Sequence, residues 1–174
     1  MHGGPPCPTP PPVIDFCVPV DVGNLLLLLP ISLQAALDLH CPEEWKGGPE
    51  EVLPFLSNVT RITCRINWPG YLPQHEPVNV TDFRKVRKFV NRAKLAQNVA
   101  RAVDKVIRNL RNQRQAILRG CWDLNSNAFD TRNVFLASLC QVSRGSWQPE
   151  LYFWCEDQQI MKRLWLDGWT GSLG

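Results

Sequence analysis

The sequence predicts an α+β fold: a small disulfide-stabilised domain with a short sheet and one long basic helix. Three observations carry this expectation. Over residues 59–66 the side chains alternate, with Ile62, Cys64 and Ile66 on one side and Arg61, Thr63 and Arg65 on the other, the period of a half-buried strand. Over residues 83–117 the apolar positions recur every three or four residues, the period of an amphipathic helix. Four cysteines flank that helix, Cys41 and Cys64 before it and Cys121 and Cys140 after it, each pair enclosing a loop of about 20 residues.

Taken in order, the first 23 residues hold seven Pro, three Gly and no Lys or Arg. That composition cannot build a core, so the segment is expected to be flexible or removed. It runs into five consecutive leucines, Leu25 to Leu29, and then Pro30-Ile31-Ser32-Leu33-Gln34-Ala35-Ala36. This run has the apolar core and small-residue end of a secretory signal, with cleavage expected after Ala35 or Ala36. The competing reading is an apolar strand or a buried helix turn. The run is too short, and too interrupted by Pro30, to span a membrane.

Residues 50–56 read as a short apolar turn or helix, followed by the strand at 59–66. Trp68-Pro69-Gly70-Tyr71 is a turn, and Pro73 and Pro77 keep the next stretch extended. Thr81 reads as a helix cap with Asp82 in the first position. Phe83, Val86, Phe89, Val90, Ala93, Ala96, Val99, Val103, Val106, Leu110 and Ile117 form the buried stripe, and Gly120 stops the helix. Such a helix would reach about 55 Å, so a break is expected near 109–112. Residues 125–130 form a polar turn, 134–142 a short apolar element, and 160–166 one or two helical turns. The aromatic tail, with Trp147, Trp154, Trp165 and Trp169, reads as core. These limits divide the chain into a leader at 1–36, a folded domain at 37–141 and an extension at 142–174.

At 174 residues and 44% hydrophobic content the chain is one domain with a modest core, and global disorder is excluded. The net charge of +3 conceals an asymmetry: residues 81–119 carry twelve Lys or Arg and two Asp, and the rest holds seven basic and fourteen acidic residues. The basic helix is therefore a solvated face neutralised by the protein or by an acidic partner, or else an element for nucleic acid or an anionic surface.

No phosphate-binding glycine loop, His-Glu-x-x-His or Gly-x-Ser-x-Gly occurs. His40, Cys41, Cys64 and His75 lack the short paired spacing of a zinc site. No catalytic residue, metal or cofactor is assigned, and the chain is expected not to be an enzyme. In an exported chain, Asn58-Val59-Thr60 and Asn79-Val80-Thr81 are glycosylation acceptors at Asn58 and Asn79. Loss of the leader leaves five cysteines. Cys41 with Cys64 and Cys121 with Cys140 would each stabilise by about 3 kcal/mol, with Cys155 left over and other connectivities open.

Cys41 with Trp45, a strand ending at Cys64, a Trp- and Pro-containing stretch at 68–77, a helix, and then Gly120-Cys121-Trp122 and Val134-Phe135-Leu136-Ala137-Ser138-Leu139-Cys140-Gln141 make a characteristic order. Over residues 38–141 it resembles herpesvirus envelope glycoprotein L, its alphaherpesvirus branch above all. The resemblance implies a non-enzymatic envelope subunit without a membrane anchor. It would bind and chaperone glycoprotein H as a heterodimer and help regulate the fusion protein, glycoprotein B, as the virus enters a cell. Its place would be the secretory pathway, the virion envelope and the host cell surface through its partner, or the medium when unpartnered. On that resemblance the partner-binding residues are Trp45, Ile62, Ile66 and Trp68, on an edge strand able to extend the partner's sheet, with Arg84, Lys85, Arg87 and Lys88 steering docking.

The competing class is an intracellular nucleic-acid-binding or adaptor protein that uses the helix at 84–119. It predicts reduced cysteines, bare asparagines and steep salt dependence. No aromatic residue lies between Arg92 and Arg119 to stack on bases. A secreted helical cytokine would need about four such helices.

Overall fold

The computed structural model describes residues 10–22, 25–46, 56, 59–82, 88–113, 123–125, 131–155 and 160–163. In chain order the elements are β1 (Val13–Asp15), β2 (Cys17–Val22), β3 (Leu25–Ser32), α1 (Leu33–Leu37), β4 (Arg61–Ile66), β5 (Gln74–Asn79), β6 (Thr81–Asp82), β7 (Lys88–Phe89), α2 (Arg92–Asn112), β8 (Val134–Ser143), β9 (Ser146–Cys155) and β10 (Ile160–Arg163). The fold is mixed α+β, with one long helix as expected. The sheet is larger than expected: among the described residues it has eight strands, in the order β2-β3-β8-β9-β4-β5, with β1 on β8 and β10 on β9.

The centre is the β8–β9 hairpin, paired antiparallel from Val134↔Phe153 to Ser143↔Ser146. One edge of β8 is shared by β1, at Val13↔Cys140 to Asp15↔Ser138, and by β3, at Ile31↔Leu136 and Ser32↔Phe135. The far edge of β9 is shared by β4, in parallel at Thr63↔Ser146 and Cys64↔Trp147, and by β10. β5 closes the sheet by pairing with β4.

Alternation decides which face is buried. Ile14, Ile31, Ile62, Cys64, Ile66, Val78, Val134, Leu136, Leu139, Trp147, Leu151 and Phe153 belong to the core. Helix α2 packs on β4 and β5, and α1 packs against α2. Two neighbours explain why α2 buries Leu95, Ala96, Val99, Ala100, Val103, Val106, Ile107 and Leu110, a wider stripe than the sheet alone would need. The small side chains Ala96 and Ala100 belong to that stripe. Buried Gln97 links the helices, its Nε2 donating to the Leu37 carbonyl at 2.7 Å.

Several expectations need correction. The supposed leader is structural: its leucine run is β3, its small-residue end is α1, and Ile31, Leu33 and Ala36 are buried. The proline-rich start also contributes to the core, through Ile14 and Phe16 on either side of Asp15. Strands from all three expected regions therefore share one sheet. The helix starts at Arg92, ten residues after Asp82, because Asn91 caps it by accepting from the Lys94 N–H at 2.8 Å. Thr81 instead sits in β6, where its hydroxyl donates to the Thr60 carbonyl at 3.3 Å. A local Thr-Asp pair cannot reveal that β6 pairs with β7. The helix holds 21 residues, about 32 Å, and its described part ends at Asn112, inside the expected break. Residues 160–163 are strand β10, not a helical turn, because the ladder along β9 sets their conformation. Among the described residues no helix is long and apolar enough to cross a membrane.

Among the described residues no disulfide is formed: Cys17, Cys41, Cys64 and Cys140 are thiols, and Cys121 lies outside the described residues. The disulfide-stabilised part of the expectation is unsupported. Cys41 and Cys64 are packed in the core, where Cys64 occupies an inward position of β4. Sequence spacing says nothing about the Cβ separation of about 3.8 Å that a bridge requires.

Two outcomes check this architecture. A chain starting at Leu37 loses Ile14, Phe16, Ile31 and Leu33 from the core. At about 1.5–3 kcal/mol each, that loss rivals a domain's whole stability, and the truncated chain should show no cooperative urea transition. Retention of a sharp transition would mean that residues 1–36 are dispensable. Leu39 follows α1 at φ 57, with its N–H on the Ala36 carbonyl and the His40 N–H on that of Ala35. Glycine relieves a left-handed residue at this position, so Leu39→Gly should raise the unfolding free energy by about 0.5 kcal/mol.

Candidate functional site

The expected docking residues are interior. Ile62 and Ile66 alternate inward along β4, and Trp68, in the turn after it, is 1% exposed. Trp45 is also buried, its ring 6.0 Å from that of Phe16 and under the Arg92 guanidinium at 5.9 Å. These four side chains build the chain's own core, so they present no face to a partner. The alternation that marked 59–66 as a strand could not say which chain covers its apolar side. Arg84, Lys85 and Arg87 lie outside the described residues, and Lys88 pairs with Asp82 along the β6–β7 ladder. Asn58 is likewise outside them. Asn79 is exposed on β5, with its Oδ1 accepting from Arg61 Nε at 3.1 Å.

The cations of α2 are largely engaged within the chain. Lys105 Nζ pairs with Glu76 at 2.7 Å, Arg108 pairs with Asp104, Arg111 Nε donates to the Leu124 carbonyl at 2.8 Å, and Lys94 Nζ donates to Gln97 at 2.6 Å. The exposed row Arg101, Lys105 and Arg108 is thus the solvated flank of a packed helix, with carboxylates beside two of its three members.

A polar cluster lies on the outer face of the β8–β9 hairpin. Ser138 Oγ donates to Glu150 Oε2 at 2.7 Å, the Tyr152 hydroxyl donates to Oε1 at 3.1 Å, and Cys140 Sγ is 3.5 Å from Ser138 Oγ. Ser138 meets the carboxylate directly, without the intervening imidazole that activates a serine nucleophile. The cluster ties β8 to β9 across the Ser138↔Glu150 pair. Among the described residues no group of three His, Cys, Asp or Glu could hold a metal ion. At the edge of this face, burial and then Asp15 push the Cys17 thiol up to about 12, away from a reactive thiolate.

The least self-sufficient part of the fold is a two-stranded arm. β3 meets β8 only at Ile31 and Ser32, whereas Leu25 to Pro30 pair with Val22 to Cys17 of β2. Leu28 faces one side of this ribbon and Leu27 and Leu29 the other, yet they are 63%, 37% and 44% exposed. An isolated two-stranded ribbon is marginal in water, and apolar side chains on both faces make it more so. The arm's edges are also distinctive. Cys17↔Pro30 and Pro19↔Leu28 stand two pairs apart and so belong to the same class of cross-strand pair. Proline has no N–H, so this class is the one without mutual hydrogen bonds, and each edge of the ribbon lacks one donor. From the sequence alone this run reads as a leader. The two prolines, placed to spare the β2–β3 ladder, were the signal for a hairpin.

Burial, reinforced by Glu76, pushes the Cys64 thiol from its ordinary 9.0 to about 12. The unfolded chain then releases this proton first, so the stability that is intact below pH 9 is lost as pH rises from 9 toward 12. Urea midpoints taken from about pH 8 to 10 should fall less steeply for Cys64→Ala than for the natural chain. Parallel curves would show that Cys64 does not govern the alkaline limb.

Comparison with protein-family models, with curated proteins and with solved structures found no match to this chain.

Proposed function

We propose that the chain is a non-enzymatic subunit of a protein complex that docks its partner through the β2–β3 arm. The observation that carries this reading is the exposure of Leu27, Leu28 and Leu29 on both faces of a ribbon that joins the sheet at its base, where Ile31 and Ser32 pair with β8 and Val18 packs against the core. A partner with an apolar groove would cover both faces. The first 45 residues contain no Lys or Arg and five carboxylates, so a groove with a cationic rim is the complement. A second copy of the chain fits less well. Two such arms would oppose like charges, and Pro19 interrupts the edge along which they would pair.

The resemblance to glycoprotein L supplies a candidate partner in glycoprotein H, with glycoprotein B as the fusion protein that the pair would regulate. In this form the heterodimer is held at the envelope by its partner, and Asn58 and Asn79 would carry glycans. It also requires residues 25–36 to be retained, since they supply β3 and α1. The second reading, an intracellular adaptor, draws support from that same segment and from the thiols of Cys17, Cys64 and Cys140. Its nucleic-acid form is weakened by the engaged cations of α2.

Co-expression with the ectodomain of the glycoprotein H from the same source tests the reading. The natural chain should co-purify with it. Leu28→Asp should lose at least tenfold in affinity with an unchanged urea midpoint, because an interface anchor is worth about 2 kcal/mol or more and this side chain is exposed. Normal binding by Leu28→Asp would rule out the arm as the docking element. Failure of the natural chain to bind, with an intact N-terminus, bare asparagines and reduced thiols by mass spectrometry, would transfer the function to the intracellular class.

A further inference from the structure

We propose that the outer face of β4, beside the turn between β8 and β9, is a binding site for a phosphate monoester. This inference is independent of the arm and goes beyond the docking role. It starts from Arg65, which is half-buried on β4. Its Nη2 reaches Ser146 Oγ at 3.3 Å and Ser143 Oγ at 3.5 Å, longer than the roughly 2.7–2.9 Å of a charge-assisted hydrogen bond. Its Nε is buried and has no hydrogen-bond partner. No carboxylate among the described residues pairs with this guanidinium.

Among the described residues the groups nearest Arg65 are cationic or neutral, and the carboxylate of Glu150 on the outer face of β9 is held by Ser138 and Tyr152. Arg61 lies two positions away on the same face of β4, His75 is the cross-strand neighbour of Arg65 on β5, and Arg144 is exposed in the turn. β4 contains no Asp or Glu, and the outward positions of β5 are His75, Pro77 and Asn79. Glu76, the one carboxylate of β5, is bound to Lys105 of α2. A cation partly removed from water and lacking a counter-charge among the described residues is unfavourable, and a bound anion would remove that penalty.

The turn supplies the remaining donors. It is fixed over β4 by the Thr63 N–H, which donates to the Gly145 carbonyl at 2.9 Å. Ser143 and Ser146 therefore stand beside Arg65, and the space above Gly145 is open, with no atom within 4 Å of where a Cβ would lie. Both serine oxygens accept from the guanidinium, so their hydroxyl protons remain available to donate outward. A guanidinium with two convergent hydroxyls suits an anion with three terminal oxygens. A carboxylate would satisfy the guanidinium alone. Phosphate also carries about −1.5 to −2 charge at neutral pH, which suits the surrounding arginines. Nucleic acid is a poorer fit, since its phosphates need a track of cations and those of α2 lie on the opposite layer.

The test is a titration of the full-length chain with inorganic phosphate and with O-phosphoserine at constant ionic strength, followed through arginine Nε–H and backbone amide resonances. Saturable shifts at Arg65, Arg144 and Ser146 are expected. They should be abolished by Arg65→Gln, weakened about tenfold or more by combined Ser143→Ala and Ser146→Ala, and unaffected by Arg101→Gln on α2. If Arg65→Gln does not fold, the serine double variant decides. Tighter binding of O-phosphoserine assigns the group to a phosphorylated side chain, and equal binding assigns it to free phosphate; either supports the site. Absence of saturation, shifts unaltered in the serine double variant, or a mixed-sequence oligonucleotide binding more tightly than both monoesters would overturn it.

Discussion

The β8–β9 hairpin is the constraint on which the sheet depends. Every other strand of the sheet reaches it directly or through one neighbour, and both outer edges are divided between two partners. β1 and β3 take successive stretches of β8, while β4 and β10 take opposite ends of β9. This division has consequences at both edges. β1 and β3 share one edge of β8, so the ribbon between them must leave the sheet, and that departure creates the arm. β4 occupies only the first part of β9, so the hairpin turn lies directly beside Arg65.

Burial of the inner face supplies the driving force. Helix α2 needs a broad apolar stripe because α1 and the segment around Trp45 pack against it in addition to β4 and β5. Ala96 and Ala100 belong to the stripe that meets both neighbours, and Gln97 satisfies the Leu37 carbonyl near the end of α1. The same packing explains the fate of the basic residues. On the polar flank left by this packing, Lys105 and Arg108 find carboxylates in Glu76 and Asp104. Its charge is thus a property of a solvated surface, while Arg65 on the outer sheet face pairs with no carboxylate among the described residues.

Much of the local structure was legible beforehand. The strand around Cys64, the turn at Gly70, the extended stretch around Pro77, the apolar element at 134–142 and the core of α2 each follow from the spacing of their own residues. The docking residues were misplaced for a physical reason. Alternation identifies an apolar side but not the surface that covers it, and here α2 covers Ile62 and Ile66 within the same chain. Thr81 and Asn91 are both acceptable caps in isolation. The pairing of β6 with β7 assigned Thr81 to a strand and left Asn91 to begin the helix.

By itself the sequence determined an α+β class, one long amphipathic helix, a basic central region beside an acidic N-terminal one, and a set of cysteines too widely spaced for a zinc motif. These are properties of composition and of periods two and three to four, which depend only on neighbours along the chain. The tertiary structure alone decided that residues 13–37 belong to the core, that Cys41 and Cys64 are packed as thiols, that three leucines project on an arm, and that Arg65 meets Ser143 and Ser146. Each of these depends on which strand lies beside which. Pairing between strands more than a hundred residues apart, such as β1 with β8, leaves no periodic trace in either partner.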